Sequence, residues 1–433
     1  MNSLPGAPHL AYTQNRLTLD GMDLQALGAQ YGTPLYVYSA AAMRTAAQAY
    51  LQALQGRPHL LCYAMKANSN LAVLQLFARM GLGFDIVSGG ELQRVLAAGG
   101  QAAKVVFSGV GKTRAEMVLA LHSGVRCFNV ESEAELRVLS EVASRENLPA
   151  RVSLRVNPDV DARTHPYIST GLKGNKFGVA HDRALALYAQ ARTLPGLQVV
   201  GIDCHIGSQI TETDPYLDAL DRVLDLVEAV EAQGTSIHHL DLGGGLGITY
   251  TDEQPPSAQA LVGAMLQRID ARGHGHREIF LEPGRSLVGN AGVLLTEALY
   301  LKPAQADELA QGGRHFCIVD AAMNDLMRPA LYEAWMGIVE CVRHPADTVA
   351  SQTWDVVGPV CESGDWLGRE RPLAVRAGDT LAVLSAGAYG MTMASNYNTR
   401  GRAAEVMIDA GSVHLVRERE TPAQLFAGER LIR

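Results

Sequence analysis

Short apolar runs and longer helical runs alternate along the chain from about residue 59 to residue 290. Each short run ends in glycine or polar residues, and an Ala/Leu-rich stretch with helical spacing follows it, which predicts repeated βα units with parallel strands. Two of the helical stretches, AEMVLALHSG and EAELRVLSEVASREN, end in Gly or Asn, which is a helix stop signal. The eight predicted strands are HLLCYAMKA (59–67), GFDIVS (83–88), VVFSG (105–109), CFNVES (127–132), VSLRVN (152–157), VVGIDCHIGS (199–208), HHLDLGGG (238–245) and EIFLEPG (278–284).

Eight parallel strands are the number that closes a (β/α)8 TIM barrel, and the main alternative is a doubly wound open sheet. Residues 291–433 read differently, because short strand-like runs are separated there by turn signals and Gly/Pro clusters. These runs are HFCIVD, TWDVVGP, TLAVLSAG, AEVMID and SVHLVRE. We therefore expect an α/β chain with a barrel over residues 33–290 and a β-rich second domain, barrel- or sandwich-like, built from residues 1–32 with 291–433.

Composition narrows the class of protein. The chain has 433 residues, of which 47% are hydrophobic and 19% charged, so two domains with large cores are expected. A formal net charge of −8 argues against a nucleic-acid partner. Neither a signal peptide nor a membrane-length apolar run is recognisable, and the six cysteines show no CxxC or metal-ligand spacing. We expect a cytoplasmic protein with reduced thiols, no membrane segment and no metal.

Candidate chemistry collects at the carboxyl ends of the predicted strands, the face where barrels of this kind carry their active sites. Lys66, one of only six lysines, ends an apolar strand, where a solvated role is less natural. A buried amine has a lowered pKa and can act as a Schiff-base nucleophile. The strand ends contribute Lys66, Asp85 with Ser88, Asn157, His205 with Ser208, Gly243–Gly245, and Glu282 with Arg285.

The glycine and acidic motifs each have two interpretations. Gly243–Gly245 is either a tight turn or a place where backbone N–H groups and a following helix N-terminus approach an anion. Glu282, in EPGR, either pairs internally with Arg285 or holds the proton of a pyridinium ring, which strengthens that ring as an electron sink. His205 is either a core histidine or a group that stacks on a flat cofactor, with Ser208 placed to donate to a phosphate.

Three further motifs lie in the predicted β-rich domain. MRPALYEAW puts Arg328 and Tyr332 four residues apart, on one face if the segment is helical. GPVCESGDWLG puts Cys361 and Glu362 in a Gly/Pro-flanked loop, and AGAYGMTMASNYN puts Tyr389 in another. Polar groups in such loops often serve sites, although turn formation explains each of them taken singly.

As a set, these motifs resemble the pyridoxal-phosphate (PLP) decarboxylases of the alanine-racemase-like fold. The resemblance runs in order from about residue 33 to residue 410, nearly the whole chain. It implies a barrel plus a β-rich domain, pyridoxal 5'-phosphate as cofactor, an amino-acid substrate and a homodimer with shared active sites. The motifs that carry it are YAMKANSN, DIVSGGEL, HIGSQ, DLGGGLGI, EPGR, MRPALYEA, GPVCESGD and AGAYG.

The resemblance also implies residue roles. Lys66 would carry the cofactor, and Cys361 would protonate the carbon that loses CO₂. His205 would stack on the ring and Glu282 would meet its nitrogen. The other cofactor-binding residues would be Ser208, Gly243, Gly244, Gly245, Pro283, Gly284, Arg285 and Tyr389. The substrate-binding residues would be Arg285, Arg328, Tyr332, Glu362 and Tyr389.

Rival enzymes on the same scaffold are an amino-acid racemase and a basic-amino-acid decarboxylase of the ornithine or arginine type. The acid at Glu282 disfavours the racemase, since a strong electron sink suits decarboxylation. Arg285 and Arg328, together with Glu362, favour a substrate whose far end carries both an amine and a carboxylate. A catalytically inactive binding homologue is disfavoured because both Lys66 and Cys361 are present.

Overall fold

The structure is a computed structural model that describes residues 4–161 and 176–432. The chain divides into two compact units, one formed by Arg44–Ile248 with Gln254–Leu287 and the other by Met1–Met43, Thr249–Glu253 and Val288–Arg433. The first junction lies later than residue 33, the predicted start of the barrel domain. Residues 35–39 form a strand that pairs within the second of these units, which explains the difference.

Three short antiparallel strands and a helix open the chain, where the sequence showed no βα pattern. The helix begins after Asp23, whose carboxylate accepts hydrogen bonds from the backbone N–H groups of Gln25 and Ala26. The elements are β1 (Leu10–Thr13), β2 (Arg16–Leu19), β3 (Met22–Asp23), α1 (Leu24–Tyr31) and β4 (Leu35–Ser39).

The next unit is a closed barrel of eight parallel strands. Every predicted strand forms, and the ring closes through pairing of the fourth strand with the fifth and of the eighth with the first. The open-sheet alternative is therefore excluded. The barrel strands are β5 (His59–Ala64), β6 (Gly83–Ile86), β7 (Val105–Phe107), β8 (Cys127–Val130), β9 (Ala150–Asn157), β11 (Leu197–Asp203), β12 (His239–Asp241) and β13 (Glu278–Leu281), and the short β10 (Val179–Ala180) pairs with β9 outside the ring.

Helices alternate with the barrel strands, as the pattern predicted. Both predicted helix stops are confirmed, because Gly124 and Asn147 end their helices in the left-handed conformation, with φ of 75° and 53°. The helices are α2 (Ala40–Ala53), α3 (Leu71–Arg79), α4 (Gly89–Ala97), α5 (Arg114–Ser123), α6 (Glu133–Glu146), α7 (His181–Ala191), α8 (Asp214–Ala232), α9 (Ala258–Ala271) and α10 (Arg285–Val288).

The other unit is β-rich, as predicted. Its further elements are β14 (Gly292–Lys302), α11 (Ala306–Ala310), β15 (Phe316–Val319), α12 (Arg328–Tyr332), β16 (Ile338–Glu340), β17 (Gln352–Val357), β18 (Trp366–Leu373), β19 (Thr380–Val383), β20 (Ala404–Asp409), β21 (Ser412–Arg417) and α13 (Pro422–Leu425). The main sheet has the order β18–β17–β15–β14–β4–β20–β21, and β19 pairs with β14 and β16. The apolar core of this unit includes Leu17, Leu35, Val37, Val293, Leu295 and Val406.

Within residues 4–161 and 176–432, no helix has the length and apolarity needed to cross a membrane.

Lys112 links neighbouring strand ends inside the barrel wall. Its ammonium group, which is 0% exposed, donates to the carbonyl oxygens of Gly109 at 2.8 Å and Asn129 at 2.7 Å. It also donates to Oε1 of Glu135 at 2.7 Å. A buried charge is tolerated only when it is paired in this way, so each contact depends on the others.

We expect Lys112→Met to lower the free energy of unfolding by about 3 kcal/mol or more, because Glu135 and two carbonyls lose their buried partner. Denaturant unfolding followed by circular dichroism measures this change. Lys104→Met is the matched control, since that partly exposed lysine donates to one carbonyl, Gly81 O, at 2.9 Å. The control should change the free energy by less than about 0.5 kcal/mol. Equal effects of the two substitutions would contradict the prediction.

Candidate active site

Lys66 lies in a 3₁₀ turn, Met65–Ala67, directly after strand β5. Its Nζ donates to Oδ2 of Asp85 on the adjacent strand β6 at 2.5 Å. The lysine side chain is 39% exposed, while the aspartate side chain is 0% exposed. The apolar strand suggested a buried amine, but the amine is only half-buried and can be reached from solvent. The other oxygen of Asp85, Oδ1, is buried and has no hydrogen-bond partner among the described residues. A reachable amine at the carboxyl end of a barrel strand is placed to bond a cofactor.

The glycine turn follows strand β12 and lies against the end of β13. A Cβ at Gly244 would come within 2.1 Å of the carbonyl oxygen of Glu282, and one at Gly245 within 2.2 Å of that of Gly207. Gly243 and Gly245 have φ of 66° and 103°, backbone angles that residues other than glycine rarely adopt. Glycine is therefore required by close approach and by conformation.

The expectation that a helix N-terminus follows this turn is wrong. Residues 246–257 are irregular, and the next helix, α9, begins only at Ala258. The fixed dipole of a helix thus does not assist anion binding at this point, and the turn contributes its own backbone.

His205 follows β11 and accepts a hydrogen bond at Nδ1 from the N–H of Gly244 at 3.2 Å. Burial lowers the pKa of the imidazole well below 6.5, and the nearby charges of Arg155 and Lys66 lower it further. The ring is therefore neutral near pH 7. A neutral ring suits stacking on a flat cofactor.

Arg285, at the start of α10, is 3% exposed and donates from Nη2 to Oγ of Ser208 at 3.1 Å. The segment before it lies beside the lysine, because the carbonyl of Pro283 accepts from the N–H of Ala64 at 3.1 Å. A Cβ at Gly284 would meet the Ala64 carbonyl oxygen at 3.1 Å. The predicted EPGR motif and the predicted lysine are thus adjacent.

Glu282 belongs to a buried cluster of three carboxyl groups. Carboxylate oxygens of Asp203, Asp241 and Glu282 all lie within 4.8 Å of one another. Burial raises the pKa of Glu282 well above 4.5, and the carboxylates of Asp241 and Asp85 raise it further. Burial also raises the pKa of Asp241 to about 6. Burial and these neighbouring carboxylates therefore favour the protonated form of Glu282.

The barrel residues fit a pyridoxal phosphate. Such a cofactor needs a reachable amine, an anion site and an acid near the ring nitrogen. Lys66 offers the amine, the glycine turn and the Arg285–Ser208 pair offer the anion site, and Glu282 offers an acid whose pKa is raised.

The other predicted site residues belong to the β-rich unit. Arg328 and Tyr332 share helix α12, with the guanidinium 5.9 Å from the tyrosine ring centroid, so the predicted common face is confirmed. Five of the six cysteines are buried and Cys361 alone is exposed. Oε1 of Glu362 accepts from the Tyr397 hydroxyl at 2.5 Å. Tyr389 has a φ of 56°, a left-handed conformation that costs energy and often marks functional loops.

A family model described as "Pyridoxal-dependent decarboxylase, pyridoxal binding domain" matches residues 40–289 of the chain. That segment is more than half of the protein and contains the lysine, the glycine turn and Glu282. The chain belongs to the pyridoxal-dependent decarboxylases.

Relatives narrow the family to the diaminopimelate decarboxylases. The chain is 57% identical to the diaminopimelate decarboxylase of Pseudomonas aeruginosa over 422 residues, covering 98% of this chain and 99% of that one. The solved M. jannaschii enzyme in co-complex with L-lysine matches with a TM-score of 0.92 at 38% identity, covering 99% of each chain. The Helicobacter pylori enzyme complexed with L-lysine matches with a TM-score of 0.88 at 38% identity, covering 94% of this chain and 98% of that one.

Several residues of the site were not assigned roles from the sequence. Asp203 and Asp241 lie in the predicted strands VVGIDCHIGS and HHLDLGGG, and Asn129 in CFNVES. The amide of Asn129 donates to Asp241 at 3.3 Å and lies 3.5 Å from Glu282 Oε1. An acid inside an otherwise apolar strand was the available signal, because such a group must find a buried partner.

We expect Glu282→Gln to stabilise the cofactor-free protein increasingly as pH rises. The pKa of Glu282 is raised by folding, so above its unfolded value near 4.5 the native state keeps a proton that the unfolded state loses. Rising pH therefore lowers the free energy of unfolding of the wild type until the pKa of Glu282 in the folded state is passed. The glutamine variant has no group that ionises at this position, so it does not lose this stability. The variant should melt about 2 °C or more above the wild type at about pH 8, with a smaller difference at about pH 5.

Glu278→Gln is the matched control, since Glu278 begins the strand that Glu282 follows but is partly exposed and paired with Arg126. Its melting difference from the wild type should stay constant across the same pH range. A Glu282→Gln difference that is equally constant would overturn the prediction.

Proposed function

We propose that this chain removes one α-carboxylate of meso-diaminopimelate to give L-lysine and CO₂, the last step of lysine biosynthesis, with PLP as cofactor. The observation that carries the proposal is the set of Lys66, Asp85 and Glu282 at the ends of three barrel strands. When bound, PLP supplies the electron sink that accepts the electron pair left by CO₂.

The barrel residues bind and orient the cofactor in this proposal. Lys66 offers the amine for the covalent link, and Asp85 fixes its position through the 2.5 Å hydrogen bond. Glu282 meets the ring nitrogen and controls its proton, while the neutral His205 stacks on the ring face. The remaining contacts to the cofactor are made by Ser208, Gly243, Gly244, Gly245, Pro283, Gly284, Arg285 and Tyr389.

The substrate has carboxylates and ammonium groups at both ends, so its recognition requires cations and an anion. Arg285 and Arg328 offer the cations, and Glu362 offers the anion. Because Glu362 accepts from Tyr397 at 2.5 Å, its carboxylate is held in one direction. Tyr332 and Tyr389 complete the substrate contacts. An ornithine- or arginine-type decarboxylase has to bind a purely cationic far end, which this mixed set matches less well.

Cys361 acts as the general acid that returns a proton to the decarboxylated carbon. It is the exposed cysteine of the chain, in contrast to the five buried ones, so it is open to a substrate. We also propose a homodimer with shared sites, which the exposed apolar side chains of Leu331 and Trp335 support. A cytoplasmic location is supported by five buried, unpaired cysteines.

A substrate assay tests the reaction. Purified protein with added PLP is given meso-diaminopimelate, ornithine, arginine or lysine, and product and CO₂ are measured. We expect lysine from diaminopimelate alone. Lys66→Ala should abolish product and the visible absorbance of bound cofactor. Lys104→Ala should leave both unchanged, because Lys104 precedes the amino end of β7, whereas Lys66 follows the carboxyl end of β5. Activity confined to ornithine or arginine would overturn the substrate assignment, and activity in Lys66→Ala would overturn the site.

We expect Cys361→Ala to retain bound cofactor but to slow product formation by about 10²-fold or more, the usual scale of general acid catalysis. Single-turnover measurements with cofactor absorbance separate binding from the chemical step. Cys317→Ala, which removes a buried cysteine of the same unit, is the control for a simple loss of packing. An unchanged rate in Cys361→Ala would remove this thiol from the reaction.

A further inference from the structure

Asp241 is a buried group next to Glu282 that the reaction described above does not use. It ends strand β12, is 0% exposed, and is paired in register with Asp203 on β11 and Phe280 on β13. Side chains paired across parallel strands point to the same face, so the Asp203 and Asp241 carboxyls share one side of the barrel wall. Their oxygens and those of Glu282 lie within 4.8 Å of one another.

The two oxygens of Asp241 have different partners. Oδ1 accepts from the N–H of Gly243 at 3.0 Å, the first residue of the glycine turn. Oδ2 accepts from Nδ2 of Asn129 at 3.3 Å, and the same amide lies 3.5 Å from Oε1 of Glu282. Asp241 thus bonds to the glycine turn and is linked through the Asn129 amide to Glu282.

The carboxyl oxygens of Asp241 and Glu282 lie within 4.8 Å of one another, and the Asn129 amide nitrogen lies within 3.5 Å of both groups. Two buried carboxylates this close repel, and a proton shared between them removes that repulsion. Burial raises the pKa of both groups, which favours a proton on the pair. The other charged groups that face this pair are Asp85, Asp203, Lys66 and Arg155.

We propose that Asp241 is a positioning residue that sets the basicity of Glu282 toward the ring nitrogen of the cofactor by sharing a proton with it. This inference rests on the proposed role of Glu282. With Asp241 as partner, Glu282 faces a group that can accept or return a proton. It therefore remains a strong enough base to keep the ring nitrogen protonated.

Asp241→Asn replaces a carboxyl group that can accept or return a proton with an amide of almost the same shape, which cannot do so. The Gly243 N–H still requires an acceptor, so the amide oxygen takes that position. The amide nitrogen takes the Oδ2 position and faces Glu282, and the Asn129 side-chain amide has to rotate so that its oxygen accepts there. A fixed donor stabilises the Glu282 carboxylate and makes it a weaker base. The ring nitrogen should then lose its proton more easily.

The experiment is ¹⁵N NMR of the substrate-free holoenzyme reconstituted with PLP labelled at the ring nitrogen, because the ¹⁵N shift reports protonation directly. In the wild type the signal should stay at its protonated position from about pH 6 to about pH 9, and in Asp241→Asn it should titrate at least about one pH unit earlier. Asp241→Ser, which is smaller than the native side chain and cannot clash, is examined in the same way if the first variant does not fold.

Two further variants distinguish the possible failures. Asp203→Asn is the matched control. Asp203 is a buried carboxyl group of the same cluster but lacks the bonds to Gly243 and Asn129 that Asp241 makes. This variant should change the pH at which the ring nitrogen titrates by less than Asp241→Asn does. An equal shift in Asp203→Asn would overturn the inference, since charge alone would explain it. Glu282→Gln should deprotonate the ring in any case. If Glu282→Gln moves the signal and Asp241→Asn does not, Asp241 has no such role, whereas no movement in either refutes the proposed role of Glu282.

Discussion

Closure of the ring of eight parallel strands is the constraint on which the rest of the barrel unit depends. The pairings β8–β9 and β13–β5 bring the first and last strand ends to one rim. Without closure, Lys66 at the end of β5 and Glu282 at the end of β13 would lie at opposite edges of an open sheet. Their adjacency, with the Ala64 N–H bonded to the carbonyl of Pro283, is a direct product of that last pairing.

Closure also concentrates acids in a space with little water. Asp203, Asp241 and Glu282 come from three consecutive strands of the ring, and they cannot all ionise there without a large electrostatic cost. The protein lowers that cost by keeping protons on the cluster and by placing Arg155 and Lys66 near it. The raised pKa values therefore follow from barrel geometry, and they leave Glu282 able to hold or give a proton.

The two units divide the chemical tasks in the proposed reaction. The barrel offers rigid strand ends, whose positions suit a cofactor that must be held in one orientation. The β-rich unit offers loops, with an exposed thiol at Cys361 and a carboxylate at Glu362 held by Tyr397. Loops suit groups that meet a substrate which enters and leaves.

The sequence by itself determined the repeated βα pattern, all eight barrel strands, the β-rich remainder and the lysine at a strand end, because periodicity and helix stop signals are local properties. The motifs also identified the family. Only the tertiary structure decided that β4 pairs with β14 and β20, that Lys66 is half-exposed, and that no helix follows the glycine turn. It alone placed Asp241 and Asn129 beside Glu282. These features depend on strand pairing and ring closure, which join residues far apart in the chain, such as Asn129 and Glu282 or Leu35 and Leu295. No local sequence pattern records such contacts.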